Sequence, residues 1–398
     1  MMIETSKIQE KCMFNRLFSI PLQSKNSCFI FGPRGTGKTQ WLKSHLKQEA
    51  HVYIDLLDSL TYRQLKAYPE KLRQLFSPEF QGWIVLDEVQ KIPELLDEVH
   101  RLIEHEDKRF ILTGSSARKL KRDGVNLLAG RAIHYHMHPL TIQELGDAFN
   151  LEHALTLGML PSTYTYDNPQ GYLATYVDTY LKEEVMQEGL TRNVAAFARF
   201  LEVASFSQGS TLNYSEIARE IMIERQVVQN YFSILHDLLL SHSLPAFTKR
   251  AKRRLVASEK FYYFDAGVYR HLRPKGILDT ASEIAGVGLE TVFYQSCLAL
   301  IDYLQLDYQL YYWRTVSGVE VDFVVYGQQA LFAFEIKHNK TISPNQLRGL
   351  RSFKEDYPMA QLYILYLGDK KLFLENDIIA IPFAEALKEL PAILETRL

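Results

Sequence analysis

Eight consecutive residues, Gly32-Pro33-Arg34-Gly35-Thr36-Gly37-Lys38-Thr39, fit the spacing G-x-x-x-x-G-K-[ST] at every fixed position. An apolar run, SCFIFG, leads into them and a helix-compatible run, KTQWLKSHLKQEA, follows. Glycines at this spacing let the main chain curl until successive N–H groups face a polyanion, and the helix N-terminus adds its positive end. Lys38 then reaches the outer phosphates of ATP, and Thr39 offers a hydroxyl to the accompanying Mg²⁺. A second apolar run, Trp83-Ile84-Val85-Leu86, ends on Asp87-Glu88. Asp87 would hold the Mg²⁺ through water and Glu88 would polarise the attacking water, so ATP hydrolysis is the expected reaction. A third run, Phe110 to Ser116, ends in hydroxyls. Thr113 or Ser115 would touch the γ-phosphate or the lytic water, the plainer reading being a turn that caps the next helix. Arg131, in LLAGRA, would offset charge on the phosphoryl group, in its own subunit or a neighbour's, or else form a structural ion pair.

A second constellation lies near the C-terminus. Asp322, Glu335 and Lys337 form D-x₁₂-E-x-K, with Asp322 on one strand-like run and Glu335-Ile336-Lys337 on the next. Residues two apart on a strand share a face, and hairpin pairing brings Asp322 to them. Glu290, on the preceding helix, completes the group. Carboxylates converging beside a lysine suit a Mg²⁺-dependent phosphodiesterase: the acids hold the metal, the metal activates a water and Lys337 steadies the nucleophile. The plain alternative is an ion pair on an edge strand. The four residues resemble the Glu, Asp, Glu-x-Lys pattern of the PD-(D/E)XK nuclease fold, except that Asp322 follows Val321 instead of proline. Gln346, early in the following helix, is a further candidate.

Between these constellations the pattern is mostly helical. YSEIAREI, a short break and RQVVQNYFSILHDLLL give a helix, a tight connection and a longer helix, the outline of a helix-turn-helix. Arg225, Gln226, Gln229 and Asn230 fall where a major groove would be read. Lys249, Arg250, Lys252, Arg253 and Arg254 put five positive charges into six residues on the expected wing, which suits phosphate contacts. A solvated loop or a protein-binding module is the alternative. His134, His136 and His138 alternate along a strand-like run; a polar strand face is expected, since no acid or cysteine stands at metal-binding spacing.

The elements that must place these groups are legible in outline. Strand-like and helical runs alternate through the first third, which predicts crossover connections and a parallel sheet covered on both faces. The expected fold class is α/β: a P-loop NTPase parallel sheet, a helical and winged-helix region, then a small α/β domain. The expected boundaries are 1–148, 149–275 and 276–398. With 398 residues, 47% hydrophobic and 23% charged, the chain has material for two or three cores. A formal net charge of −2 argues against a chain basic throughout but leaves room for a basic face. Cys12, Cys28 and Cys297 are scattered and match no zinc spacing. No apolar run long enough to span a bilayer is apparent, and the N-terminus lacks the apolar segment of a secretion signal, so a cytoplasmic address without a membrane is expected.

GPRGTGKT, IVLDEVQ, LTGSS and LLAGR, in this order, resemble the bacterial and archaeal AAA-type ATPases whose C-terminal half is a domain of unassigned function. LPSTY, YVDTYLKEEV, NVAAFARFLEVAS, FYYFDAGVYRHL, VEVDFVV and FEIK extend the resemblance over nearly the whole chain. It implies an ATPase. The leading expectation is an ATPase coupling nucleotide state to DNA binding or processing. The competing one is a regulatory ATP switch on a protein partner, with an inert nuclease-like domain. Homo-oligomerisation is left open.

Overall fold

The computed structural model describes residues 14–116, 127–181, 193–251, 253–274 and 281–396. The first third contains β1 (Ser27–Phe31), α1 (Lys38–His45), β2 (His51–Asp55), α2 (Ser59–Ala67), β3 (Trp83–Asp87), α3 (Leu95–Glu106), β4 (Arg109–Gly114) and β5 (Ala132–His136). The five strands are parallel, in the order β2-β3-β4-β1-β5. Every side chain of β1 and β3 is buried, as a central strand covered by helices on both faces requires. α3 buries Leu95, Leu96, Val99 and Leu102 along one face and carries Asp97 and Glu98 in its first turn, where the helix dipole favours acids. Because β3, β4 and β1 are adjacent and point the same way, the loops after Phe31, Asp87 and Gly114 meet at one sheet edge.

Short helices at Leu151–Leu157, Pro161–Thr165 and Pro169–Thr175 follow. Then come α4 (Val194–Ser205), β6 (Ser210–Thr211), α5 (Tyr214–Glu220), α6 (Arg225–Asp237), β7 (Ser241–Leu244), β8 (Lys260–Tyr263) and a helix at Ala266–Leu272. The strands make a small antiparallel sheet, β6-β8-β7. Phe197 and Phe200 of α4, Tyr231 and Phe232 of α6 and Phe261 of β8 pack ring to ring at its heart.

The last unit is α7 (Ala281–Tyr303), β9 (Tyr308–Arg314), β10 (Glu320–Gly327), β11 (Leu331–Lys337), α8 (Arg348–Asp356), β12 (Gln361–Tyr366), β13 (Leu372–Leu374), β14 (Ile378–Pro382) and α9 (Phe383–Glu395). Its sheet runs β13-β14-β12-β11-β10-β9: antiparallel among β9, β10 and β11, parallel among β11, β12 and β14, and antiparallel again at β13. The register of β10 against β9 shifts between Val321 and Val324, the stretch that contains Asp322. α7 corrects one expectation. Glu283–Tyr303 is long and apolar enough to cross a membrane by composition, with mean hydropathy 1.5, but 67% of that stretch is buried inside the protein. Leu140, Ile142, Leu145 and Met159 pack into the same core as α7.

Candidate functional site

The loop after β1 has the geometry its glycines predict. Gly35 and Gly37 have φ of +84° and +97°, left-handed values that glycine alone adopts freely. A Cβ on Gly32 would lie 2.3 Å from the carbonyl oxygen of Met137, so only glycine fits there. Lys38 is buried and donates from Nζ to the carbonyls of Gly32 (2.6 Å) and Pro33 (3.1 Å). The Thr36 hydroxyl donates to Pro33 O at 2.9 Å. Tyr176 donates from its hydroxyl to the carbonyl of Arg34 at 2.9 Å.

Asp87 and Glu88 sit beside this loop. The Thr39 hydroxyl donates to Asp87 Oδ2 at 2.8 Å, and the hydroxyls of Tyr53 and Thr113 also donate to the Asp87 carboxylate. Burial and the bond to Asp87 push the Tyr53 phenol up, so it stays protonated and donates. Glu88 has φ +63°, costly for a non-glycine residue, and its N–H donates to Thr113 Oγ1 at 3.0 Å. Gln90 bonds the Glu88 carboxylate and reaches Ser115 Oγ at 3.0 Å through the same amide nitrogen. Of the two expected sensor residues, Thr113 therefore braces Asp87 and Ser115 joins Glu88 through Gln90. Tyr53 and Gln90 were missed by sequence reasoning. The only signal for Gln90 was its place two residues after Glu88.

Arg131 requires a correction. β5 runs parallel to β1 with Ala132 beside Ser27 and His136 beside Phe31, so Arg131 lies at the opposite end of the sheet. Five residues of extended chain, about 16 Å, separate it from the level of the loop. It pairs there with Glu104 of α3. A role on the phosphates of its own subunit is excluded by this placement.

The C-terminal residues do meet. Continuing the Phe323–Phe334 pairing by one step sets Asp322 opposite Glu335, and Lys337 shares their face. Lys337 Nζ lies 2.6 Å from Glu335 and 3.7 Å from Asp322, while Asp322 accepts from Ile336 N at 2.8 Å. Glu290 of α7 faces the group and accepts from the Tyr262 hydroxyl at 2.8 Å. Sequence reasoning missed a further member, Lys260 of β8. Its side chain is 4% exposed, pairs with Glu320, and lies close enough to Glu290 and Asp322 to feel both charges. Among the described residues no three acidic, His or Cys side chains form a metal-holding group. The cations facing Glu290, Asp322 and Glu335 are Lys337, which the expected pattern includes, and Lys260.

Burial first, and then the Asp322 charge, pushes Glu335 up to about 8 and Glu290 up to about 7. An unfolded glutamate titrates near 4.5. Between those values the folded protein keeps protons that the unfolded chain has lost, so this cluster loses stability as pH rises from about 4.5 through 8. We expect Glu335→Gln to flatten that decline. The wild-type unfolding midpoint should fall further than the variant's between about pH 5.5 and 8.5, and parallel curves would refute the assignment.

The candidate contact residues of α6 and of the basic run differ in their surroundings. Arg225, Gln226 and Asn230 are exposed and Gln229 is half-buried. The segment between β7 and β8 is fastened to the C-terminal sheet instead of standing free: Phe247 N donates to Tyr312 O at 2.7 Å and Val256 N to Arg314 O at 2.9 Å. Arg253 pairs with Asp356 at 2.7 Å, and the Lys249 ammonium sits 4.6 Å from the Tyr326 ring centroid. Arg250 and Arg254 are exposed, and Lys252 lies outside the described residues. His134 and His136 are exposed on β5, whereas buried His138 bonds Asp302 at 2.5 Å. Gln346 is spent on its own turn, accepting from Ser343 N at 2.8 Å and donating to Asn339 at 3.0 Å.

Residues 24–146 match the profile of the AAA domain family. Residues 148–279 and 285–386 match two further families, each described as a domain of unknown function (DUF8612 and DUF4143). An uncharacterized protein of Mycobacterium tuberculosis is 26% identical over 358 residues, which is 89% of this chain and 79% of that one. An uncharacterized protein of Haemophilus influenzae is 21% identical over 370 residues, 84% of this chain and 90% of that one. Among solved structures, the Aeropyrum pernix ORC2 protein in its ADP form is similar at 14% identity and TM-score 0.30, covering 68% of this chain and 88% of that chain. The Aeropyrum pernix ORC1 protein in complex with DNA is similar at 13% identity and TM-score 0.28, covering 62% and 85%.

Proposed function

We propose that this chain, an AAA-type ATPase domain followed by two domains of unknown function, is a Mg²⁺-dependent ATPase that couples its nucleotide state to DNA binding. One observation carries the hydrolytic part: Thr39 and Thr113 converge on Asp87 while Gln90 holds Glu88, all at the sheet edge beside the glycine loop. Bound Mg²⁺ would neutralise phosphate charge, with Thr39 and Asp87 holding it. The main-chain N–H groups from Arg34 to Thr39 would cradle the phosphates, and Lys38 would leave the Gly32 and Pro33 carbonyls to join them. Glu88 would take the proton of a water whose oxygen bonds to the γ-phosphorus as the bond to the ADP oxygen breaks.

The exposed face of α6, with Arg250 and Arg254, supports the DNA part; α5, α6 and the β6-β8-β7 sheet read as a winged helix. Duplex DNA should bind with an affinity that falls as salt rises. Replacing Arg225 and Arg254 together by Ala should weaken it about tenfold and reduce the salt slope by about two contacts. Fluorescence anisotropy at several salt concentrations reads both. A wild-type protein that shows no salt-dependent binding would leave the second reading, a nucleotide switch acting on a protein partner. That reading is favoured by the fastened basic segment and by the lysines that face the carboxylate cluster.

A further inference from the structure

Arg16 precedes every recognised motif, yet its guanidinium is the junction between the nucleotide loop and the far end of the chain. Nε donates to Glu144 Oε1 (2.8 Å), Nη1 to the carbonyl of Thr36 (2.6 Å), and Nη2 to the carbonyl of His138 (2.6 Å) and the hydroxyl of Tyr303 (3.0 Å). The side chain is 6% exposed, and Glu144 is fixed in turn by the N–H groups of Leu17 and Thr141, each at 2.8 Å. Tyr303 is the last residue of α7, the helix that also carries Glu290, and its hydroxyl accepts from His138 N at 2.9 Å. A planar fork with this many partners has no freedom left to follow the loop.

The bond to Thr36 has a consequence for phosphate. A trans peptide points its N–H opposite to its C=O. Holding the Thr36 carbonyl therefore aims the Gly37 N–H away from Arg16. Tyr176 does the same for the Gly35 N–H by holding the Arg34 carbonyl. Two amides of the anion cradle are thus set in advance, one by a side chain tied to α7 and one by the helical middle region. Amides already oriented bind phosphate without an ordering cost.

We propose that Arg16 is a positioning residue for the phosphate-binding loop and that, through Tyr303, it makes nucleotide affinity depend on how α7 is seated. This rests on the ATP reading above and adds the route by which the C-terminal domain senses nucleotide. Because binding linkage is reciprocal, nucleotide must steady the end of α7 as much as α7 steadies the loop.

The test uses the full chain, N-methylanthraniloyl-ADP as probe, and the variants Arg16→Lys and Tyr303→Phe. Lysine keeps the charge but cannot span four acceptors; phenylalanine removes only a hydroxyl and leaves the ring against Phe18. Dissociation constants should rise about tenfold for Arg16→Lys and about fivefold for Tyr303→Phe, with KM for ATP rising more than kcat falls. The probe should also slow amide exchange over residues 298–303 in the wild type and not in Tyr303→Phe. A purely structural role would lower the unfolding midpoint without this split and without changing nucleotide-dependent exchange. Should Arg16→Lys fail to fold, Tyr303→Phe decides alone. If the wild type binds the probe and Tyr303→Phe binds it within twofold with unchanged exchange, the coupling is overturned while the ATP reading stands. If the wild type does not bind the probe, both fall.

Discussion

Glu88→Gln should lower ATP turnover by about 10²–10⁴-fold while ATP still binds, because the amide keeps the shape of the side chain but cannot accept a proton. The structure makes this variant a cleaner probe than most. Glu88 is held by Gln90 and by its own N–H on Thr113, so glutamine can occupy the same place with its oxygen still facing the Gln90 amide. Asp87 keeps its hydroxyl partners Thr39, Tyr53 and Thr113, so the magnesium site proposed there is left alone. Phosphate release at saturating ATP, measured beside nucleotide affinity, separates the outcomes. Turnover within threefold of wild type, about 0.7 kcal/mol in the barrier, would remove Glu88 from the water-activating role. Lost binding with lost turnover would mean instead that Glu88 holds the loop in shape. Lys38→Ala is the companion variant and should abolish binding itself.

The second large effect concerns stability. Lys260→Met should destabilise the folded protein by about 3–5 kcal/mol, the range for removing one partner from a buried ion pair. Lys260 is 4% exposed and sits among Glu290, Glu320 and Asp322. Methionine would fill the space but leave these acids with only the half-buried Lys337 and the more exposed Arg314 as neighbouring cations. The urea midpoint reads the loss. A double variant, Lys260→Met with Glu320→Gln, should recover part of it, since one of the three acids that Lys260 had balanced is then neutral. In the single variant Glu320 keeps Arg314 at 3.4 Å. A loss below about 1 kcal/mol, typical of exposed pairs, would show that water reaches the cluster.

These two experiments fall on opposite sides of what a linear chain can reveal. GPRGTGKT and IVLDE were legible because their geometry is local. The glycines shape one loop, the apolar runs can only be covered strands, and parallel strands deliver their C-terminal residues to one edge. Strand periodicity likewise put Glu335 and Lys337 on one face, and hairpin pairing brought Asp322 to them. Within the same region, though, periodicity could not tell whether the acids would face a metal ion or an ammonium group. Lys260 joins the acids from β8, which sequence reasoning placed in another domain.

Arg131 shows the converse. Its motif was visible, but the direction of β5 set it at the wrong end of the sheet for its own nucleotide. The basic run was also visible, and only the packing of Phe247 against the C-terminal aromatics showed that it is fastened down. Arg16 and Tyr303 stand 287 positions apart, and nothing in either local sequence marks them as partners. The sequence by itself determined which segments become strands and which loop can hold a phosphate, because those depend on neighbours a few bonds away. The tertiary structure alone decided which charges neutralise which, since that depends on how separately formed layers pack and exclude water.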